Sequence, residues 1–194
     1  LDDQVRYVHK VGSLVTKVTR NCRITSEDAD DRVFIYVEVW TSGNNNAFTR
    51  RIRFRNVEFS GLGGNTNNNY YRAGVCIGGY NGGLDPNSSD GLNYGFQSEV
   101  TNCVYDGSQC NSTETYRGFY IRQAWGLHLR NNICYTSDRG IFPHSYGAHG
   151  QYMGNYSTRS QYCTMLLDNH TESGCEASYN YLTRSDDYGL LCYH

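Results

Sequence analysis

The sequence predicts an all-β fold, a parallel β-helix (solenoid) with long inserted loops, and three observations carry that expectation. An asparagine returns on the downstream side of short apolar strands, as in Val100-Thr-Asn102-Cys-Val104 and Leu129-Arg-Asn131-Asn-Ile133. A second strand, usually opened by glycine, recurs in near step with it: Gly74-Val-Cys-Ile77, Gly118-Phe-Tyr-Ile121, Gly140-Ile-Phe142, Cys163-Thr-Met-Leu-Leu167 and Gly189-Leu-Leu-Cys192. Composition opposes helix, with 21 glycines, 18 tyrosines and 38% hydrophobic residues, and no window holds a helical apolar stripe.

The first marker assigns a stacked asparagine ladder to Asn56, Asn102, Asn131, Asn155 and Asn180. The gaps along it are 46, 29, 24 and 25 residues. The last two match one coil of a solenoid, and the longer ones fit coils carrying inserted loops. Asparagine suits such a place because its short amide tolerates a left-handed turn. It also bonds its own backbone and an amide stacked above it. The glycine strand keeps intervals of 22, 23 and 26 between its last four copies. An antiparallel sandwich also makes many short strands with Gly and Asn turns, but it gives no reason for two markers to run in phase.

Taken in order, residues 1–40 read as early coils: Val5 to Val18, then Phe34 to Trp40, joined by the acidic stretch Glu27 to Asp31. Thr41 to Asn46 is a turn, and Arg50 to Phe59 a strand whose alternating basic and apolar residues suit one solvated face. Two long Asn/Gly-rich loops follow, Ser60 to Asn69 and Tyr80 to Tyr94, and the coils tighten from Phe96 onward. Residues 1–194 are expected to form one domain of about seven to eight coils, each of about 25 residues. Both ends read as cut strands, so the domain is expected to be a segment of a longer extracellular protein.

Net charge is −2 with scattered Lys and Arg, which gives nucleic acid no patch to bind. Eight cysteines, an even number with no CxxC pair, point to an oxidising compartment rather than a zinc or redox site. Cys103 with Cys110, across a short polar loop, and Cys163 with Cys175 are the expected disulfides. Four sequons, at Asn87, Asn111, Asn155 and Asn169, agree with secretion. Asn155 is claimed by both the ladder and a sequon, and a buried amide cannot carry a sugar. No apolar run is long enough to span a membrane as a helix, so any membrane link is expected through parts outside this segment.

For catalysis, Asp138, Glu172, Asp186 and Asp187 are the carboxylates worth testing as a glycosidase pair. His144 and His149 are spaced to share a metal across a glycine turn, whereas His128, between two inward leucines, is expected to face outward. Turn and solvent roles account for all of these, so no catalytic residue, metal or cofactor is assigned. The tyrosines, among them Tyr116, Tyr120, Tyr135, Tyr152, Tyr156, Tyr162, Tyr179 and Tyr181, allow a stacked structural ladder, a protein contact or a sugar platform.

The stretches Val18 to Glu27, Ile52 to Gly63, Gly126 to Tyr135 and Thr136 to Phe142 resemble the parallel β-helix region of the fibrocystin and cell-surface hyaluronidase (CEMIP-like) group. The resemblance covers roughly residues 15–165 and implies a right-handed parallel β-helix in a large extracellular or membrane-anchored protein. The hyaluronidase branch carries a His-Phe-His element where this chain has Ala73-Gly-Val-Cys-Ile-Gly78, and an acidic pair where it has His144-Ser-Tyr-Gly147. That points to the fibrocystin-like branch. The expected function is a non-catalytic structural, adhesive or assembly segment of a secreted or cell-surface glycoprotein. Its expected partners are other extracellular proteins, copies of itself and glycans. The alternatives are a polysaccharide-processing β-helix enzyme and a tyrosine-rich glycan-binding module.

Overall fold

The computed structural model describes residues 22–27, 32–40, 52–63, 73–79, 98–108, 117–122, 126–144, 150–168 and 175–193. Among them lie fifteen strands and no helix. In chain order they are β1 Cys22–Thr25, β2 Ile35–Trp40, β3 Arg53–Arg55, β4 Val57–Ser60, β5 Val75–Gly79, β6 Glu99–Thr101, β7 Val104–Asp106, β8 Arg117–Arg122, β9 His128–Arg130, β10 Ile133–His144, β11 Gln151–Met153, β12 Tyr156–Asp168, β13 Glu176–Ser178, β14 Tyr181–Ser185 and β15 Tyr188–Tyr193. The coil read between Val5 and Val18 and the loop between Tyr80 and Tyr94 lie outside the described residues.

Every strand pairing is parallel. One sheet has ten strands in the order β1-β4-β7-β10-β8-β5-β2, with β12 beside β10 and both β14 and β15 beside β12. The other has five, β13-β11-β9-β6-β3. The chain therefore visits the five-stranded sheet, then a first row of the large sheet, then a second row, and returns. In β10 and β12 the two rows are one bent strand. This is the stacking of a parallel β solenoid, in which each coil contacts only its neighbours.

Two corners make the winding possible, and left-handed residues recur at both. At the first, between the two sheets, Asn56, Asn102, Asn131, Gly154 and Tyr179 have φ of 55, 54, 55, 64 and 55°. At the second, between the two rows, Gly61, Thr136, Arg159 and Arg184 have φ of 64, 53, 55 and 53°. Gly and Asn adopt this conformation readily; Thr, Arg and Tyr do so at about 1–2 kcal/mol each. Asn56 divides the expected Arg50-to-Phe59 strand into β3 and β4, turning Phe54 and Phe59 toward the same interior.

The interior is built in columns that run from coil to coil. Phe54, Val100, Leu129, Tyr152 and Ala177 stack in the small sheet, and Ile35, Val75, Phe119, Ile141, Met165 and Leu190 in the second row. The glycines that open the recurring strand mark a close approach: a Cβ on Gly118 would stand 2.5 Å from Cys134 Sγ and 2.7 Å from the Gly140 carbonyl oxygen. The second row also buries its other face, where Cys76, Tyr120, Cys163 and Leu166 cluster with Ala73. Burial on both faces explains why its strands are continuous apolar runs rather than alternating ones.

Candidate functional site

The polar residues predicted to stack do so in two columns instead of one. Asn132 Oδ1 accepts the Cys103 N–H at 2.9 Å, Asn155 Oδ1 accepts the Asn132 N–H at 3.0 Å, and Asn180 Oδ1 accepts the Asn155 N–H at 3.0 Å. The three amide nitrogens donate to the carbonyls of Val100, Leu129 and Tyr152, at 2.8, 3.0 and 2.7 Å. The ladder is thus Asn132, Asn155 and Asn180. Asn56, Asn102 and Asn131 are corrected to the preceding, left-handed position, and Asn102 and Asn131 are exposed there. Val57 and Cys103 hold the ladder position in the earlier coils. The corner uses both residues of an Asn-Asn or Gly-Asn pair, one for its backbone and one for its side chain, and the two duties are easily merged in a sequence.

A second polar column was not anticipated. Ser137 and Ser160 are buried with their hydroxyls 3.5 Å apart, and Ser185 Oγ donates to the Tyr162 carbonyl at 2.9 Å. The signal was present: each ladder asparagine is followed five residues later by one of these serines.

The cysteines carry a further correction. No two described cysteines stand at disulfide distance. Cys163 packs in the outer cluster, whereas Cys175 packs against the inner core and accepts the Gly150 N–H at 3.4 Å. The expected Cys163–Cys175 bridge would have to cross the wall. Cys103 is buried, with its thiol 3.4 Å from the Thr101 carbonyl; Cys110 lies outside the described residues. Burial pushes the Cys134 thiol up to about 12. Glycosylation at Asn155 is excluded in the folded chain, because the residue is buried and its amide nitrogen is engaged. Asn87, Asn111 and Asn169 lie outside the described residues.

The catalytic candidates separate into two places. Asp138 and Asp186-Asp187 share the second corner, two coils apart. His144 ends β10, about 20 Å of strand beyond Asp138. Glu172 and His149 are not among the described residues. His128 lies between buried Leu127 and Leu129 on the outer face. Its pKa is lowered by burial and by Arg130, against an opposing pull from Glu99. Among the described residues no group of three or more His, Cys, Asp or Glu is placed to hold a metal.

The tyrosines divide by depth. Tyr105, Tyr120 and Tyr152 are buried, and the Tyr105 hydroxyl donates to the Leu62 carbonyl at 2.7 Å. Tyr156 and Tyr181 stack in register, ring centroids 5.4 Å apart and 9° from parallel. Arg117, Arg139 and Arg159 lie over the rings of Tyr120, Tyr162 and Tyr135. Stacking and cation–π contacts occupy ring faces that a sugar would need.

Among the described residues, large apolar side chains are exposed at two places, Val33 and Phe34 ahead of β2 and the last described coil. On the last coil Tyr179 is 88% exposed, Tyr181 63%, Leu190 50% and Tyr188 46%. The residues one coil below in the same columns include buried Cys163 and Met165. Ala177, at the end of the buried Leu129–Tyr152 column, is also exposed. In the last described coil Leu190 and Ala177 thus continue columns that are buried one coil earlier, whereas Tyr179 continues the exposed corner of Asn131 and Gly154 and Tyr181 the outward column of Tyr156. Comparison with family models, curated proteins and solved structures finds no match for the chain.

Proposed function

We propose that this chain is a non-catalytic structural, adhesive or assembly segment of a large secreted or cell-surface glycoprotein. It is wound as a right-handed parallel β-helix with long inserted loops. Right-handed winding follows from the strong preference of parallel crossovers for that hand. The extracellular setting rests on the sequons at Asn87, Asn111 and Asn169, and on the loose strand-and-turn resemblance to the fibrocystin and cell-surface hyaluronidase group.

The observation that supports the assembly role is the set of exposed apolar side chains on the last described coil, Tyr179, Tyr181, Tyr188 and Leu190. Exposed large apolar side chains beside a sheet edge favour contact with another surface. The stacked tyrosines behave as a structural ladder, which weighs against the glycan platform. The separation of His144 from the aspartates weighs against the polysaccharide enzyme.

Sedimentation velocity over a dilution series tests the reading. The protein is expected to associate as concentration rises, and the Tyr181→Asp/Leu190→Lys variant to stay monomeric with unchanged circular dichroism. A wild-type chain that remains monomeric throughout would remove the case for assembly through this face.

A further inference from the structure

We propose that the arginine pair at the second corner, Arg159 and Arg184, is a binding site for a single tetrahedral oxyanion, the sulfate or phosphate group of an ester. This inference is independent of the assembly reading, because the corner lies on the side wall of the solenoid. Coils stacked beyond β14 would lengthen its column and not cover it. Register places the two residues at the same point of successive coils. Thr158 pairs with Thr183 just before them and Ser160 with Ser185 just after. Their Cα atoms therefore stand about one strand spacing apart, roughly 4.8 Å.

Both arginines hold this place at a cost. In earlier coils the same corner position is Gly61 and Thr136. Arg159 and Arg184 take it with φ of 55 and 53°, a conformation that glycine adopts freely and a long side chain does not. Like charges set opposite one another on neighbouring strands add a second cost. Glycine would turn the corner at neither cost, as Gly61 does. Both arginines are exposed, so burial offers no compensation. Backbone strain and charge repulsion that coincide on an accessible surface point to a function.

A bound oxyanion would offset both costs. Among the described residues neither guanidinium forms an ion pair. Arg159 lies 5.1 Å from the centroid of the Tyr135 ring; that contact positions the guanidinium and gives its N–H groups no oxygen acceptor. Asp186 and Asp187 follow Arg184 and are exposed, and neither closes onto an arginine. Their charge disfavours a polyanion and limits the site to one anionic group. A sulfate or phosphate ester presents three terminal oxygens, enough for two guanidinium forks to donate to it together, whereas a carboxylate presents only two.

The arginine Nε–Hε signals in NMR spectra test the site. The protein is titrated with sodium sulfate, sodium phosphate, galactose sulfate and galactose phosphate, each against sodium chloride at equal ionic strength. The Arg159 and Arg184 signals are expected to move together along one saturating curve with the oxyanions and to stay in place with chloride. Saturation by either ester supports the site, and the tighter of the two names the group. Arg184→Lys keeps the charge and loses the fork, and is expected to weaken binding about tenfold. Arg159→Gly/Arg184→Gly is expected to abolish binding in isothermal titration calorimetry while unfolding at a higher urea concentration than the wild type, which separates loss of the site from loss of the fold. Shifts that never saturate, or that chloride reproduces, would show ionic screening alone and overturn the proposal. A double-glycine variant that binds sulfate as tightly as the wild type would overturn it as well.

Discussion

In the coils from β3 to β8 the interior is aromatic: Phe59 meets Phe54 edge-to-face at 5.3 Å and Phe119 at 6.2 Å, and Tyr105 meets Phe119 at 6.1 Å. From β9 onward the same cross-section is held by hydrogen bonds. Asn132, Asn155 and Asn180 stand where Val57 and Cys103 stood, and Ser157 replaces the aromatic ring in the column of Phe59 and Tyr105. Ser157 Oγ donates to the Thr164 carbonyl at 2.8 Å, closing a turn that Tyr105 fills with bulk. A solenoid coil can thus be kept in register by ring packing or by satisfied polar ladders, provided that each column is filled and no buried amide is orphaned.

The contrast can be broken from either side. Phe59→Ala is expected to cost about 4 kcal/mol, because it removes a fully buried ring and leaves a cavity in the aromatic half; urea denaturation measures this. In the polar half, Gly140→Ala is expected to cost about 3 kcal/mol by overpacking, since its Cβ would come within 2.6 Å of the Thr164 carbonyl oxygen. Gly189→Ala, on the same column but in the terminal coil with nothing within 4 Å, should leave the midpoint where it is. Equal losses at the two glycines would mean that the close approach is not what the recurring glycine serves.

Smaller effects sharpen the same comparison. The polar coils pay for their corners with Arg159 and Arg184 at positive φ, where the first aromatic coil has Gly61. Arg184→Gly is expected to stabilise by about 1 kcal/mol, visible as a raised melting temperature. The buried Cys134 thiol gives a pH signature. Its folded value lies near 12 against an ordinary 9.0, so as pH rises past 9.0 the unfolded chain loses this proton first. Stability should therefore fall above that pH, and less in Cys134→Ala. Iodoacetamide should label exposed Cys22 and Cys192 in the native protein but reach Cys134 only after unfolding.

The solenoid was legible because its two markers are backbone duties. Gly118 and Gly140 are where no side chain fits, and Asn102 and Asn131 are where the chain turns left-handed, and both leave a residue type behind. The ladder was misplaced by one residue for the same reason, since Asn131 and Asn132 are identical letters with different duties. The sandwiching of Cys76 and Tyr120 on the outer face was not legible, because a run such as Val75-Cys-Ile77 looks the same whether one face is covered or two. Which residues share a column depends on strand register, which residue type alone does not encode.

The Asn131–Asn132 pair tests the account most directly. Asn131→Gly and Asn132→Ala are compared by urea denaturation in one buffer. Asn131→Gly should be neutral or slightly stabilising, because glycine adopts the left-handed corner freely. Asn132→Ala should cost about 2 kcal/mol, because it orphans the Cys103 N–H and the Val100 carbonyl. Equal effects, or a larger loss at Asn131, would contradict the two-residue corner and with it the ladder that holds the later coils.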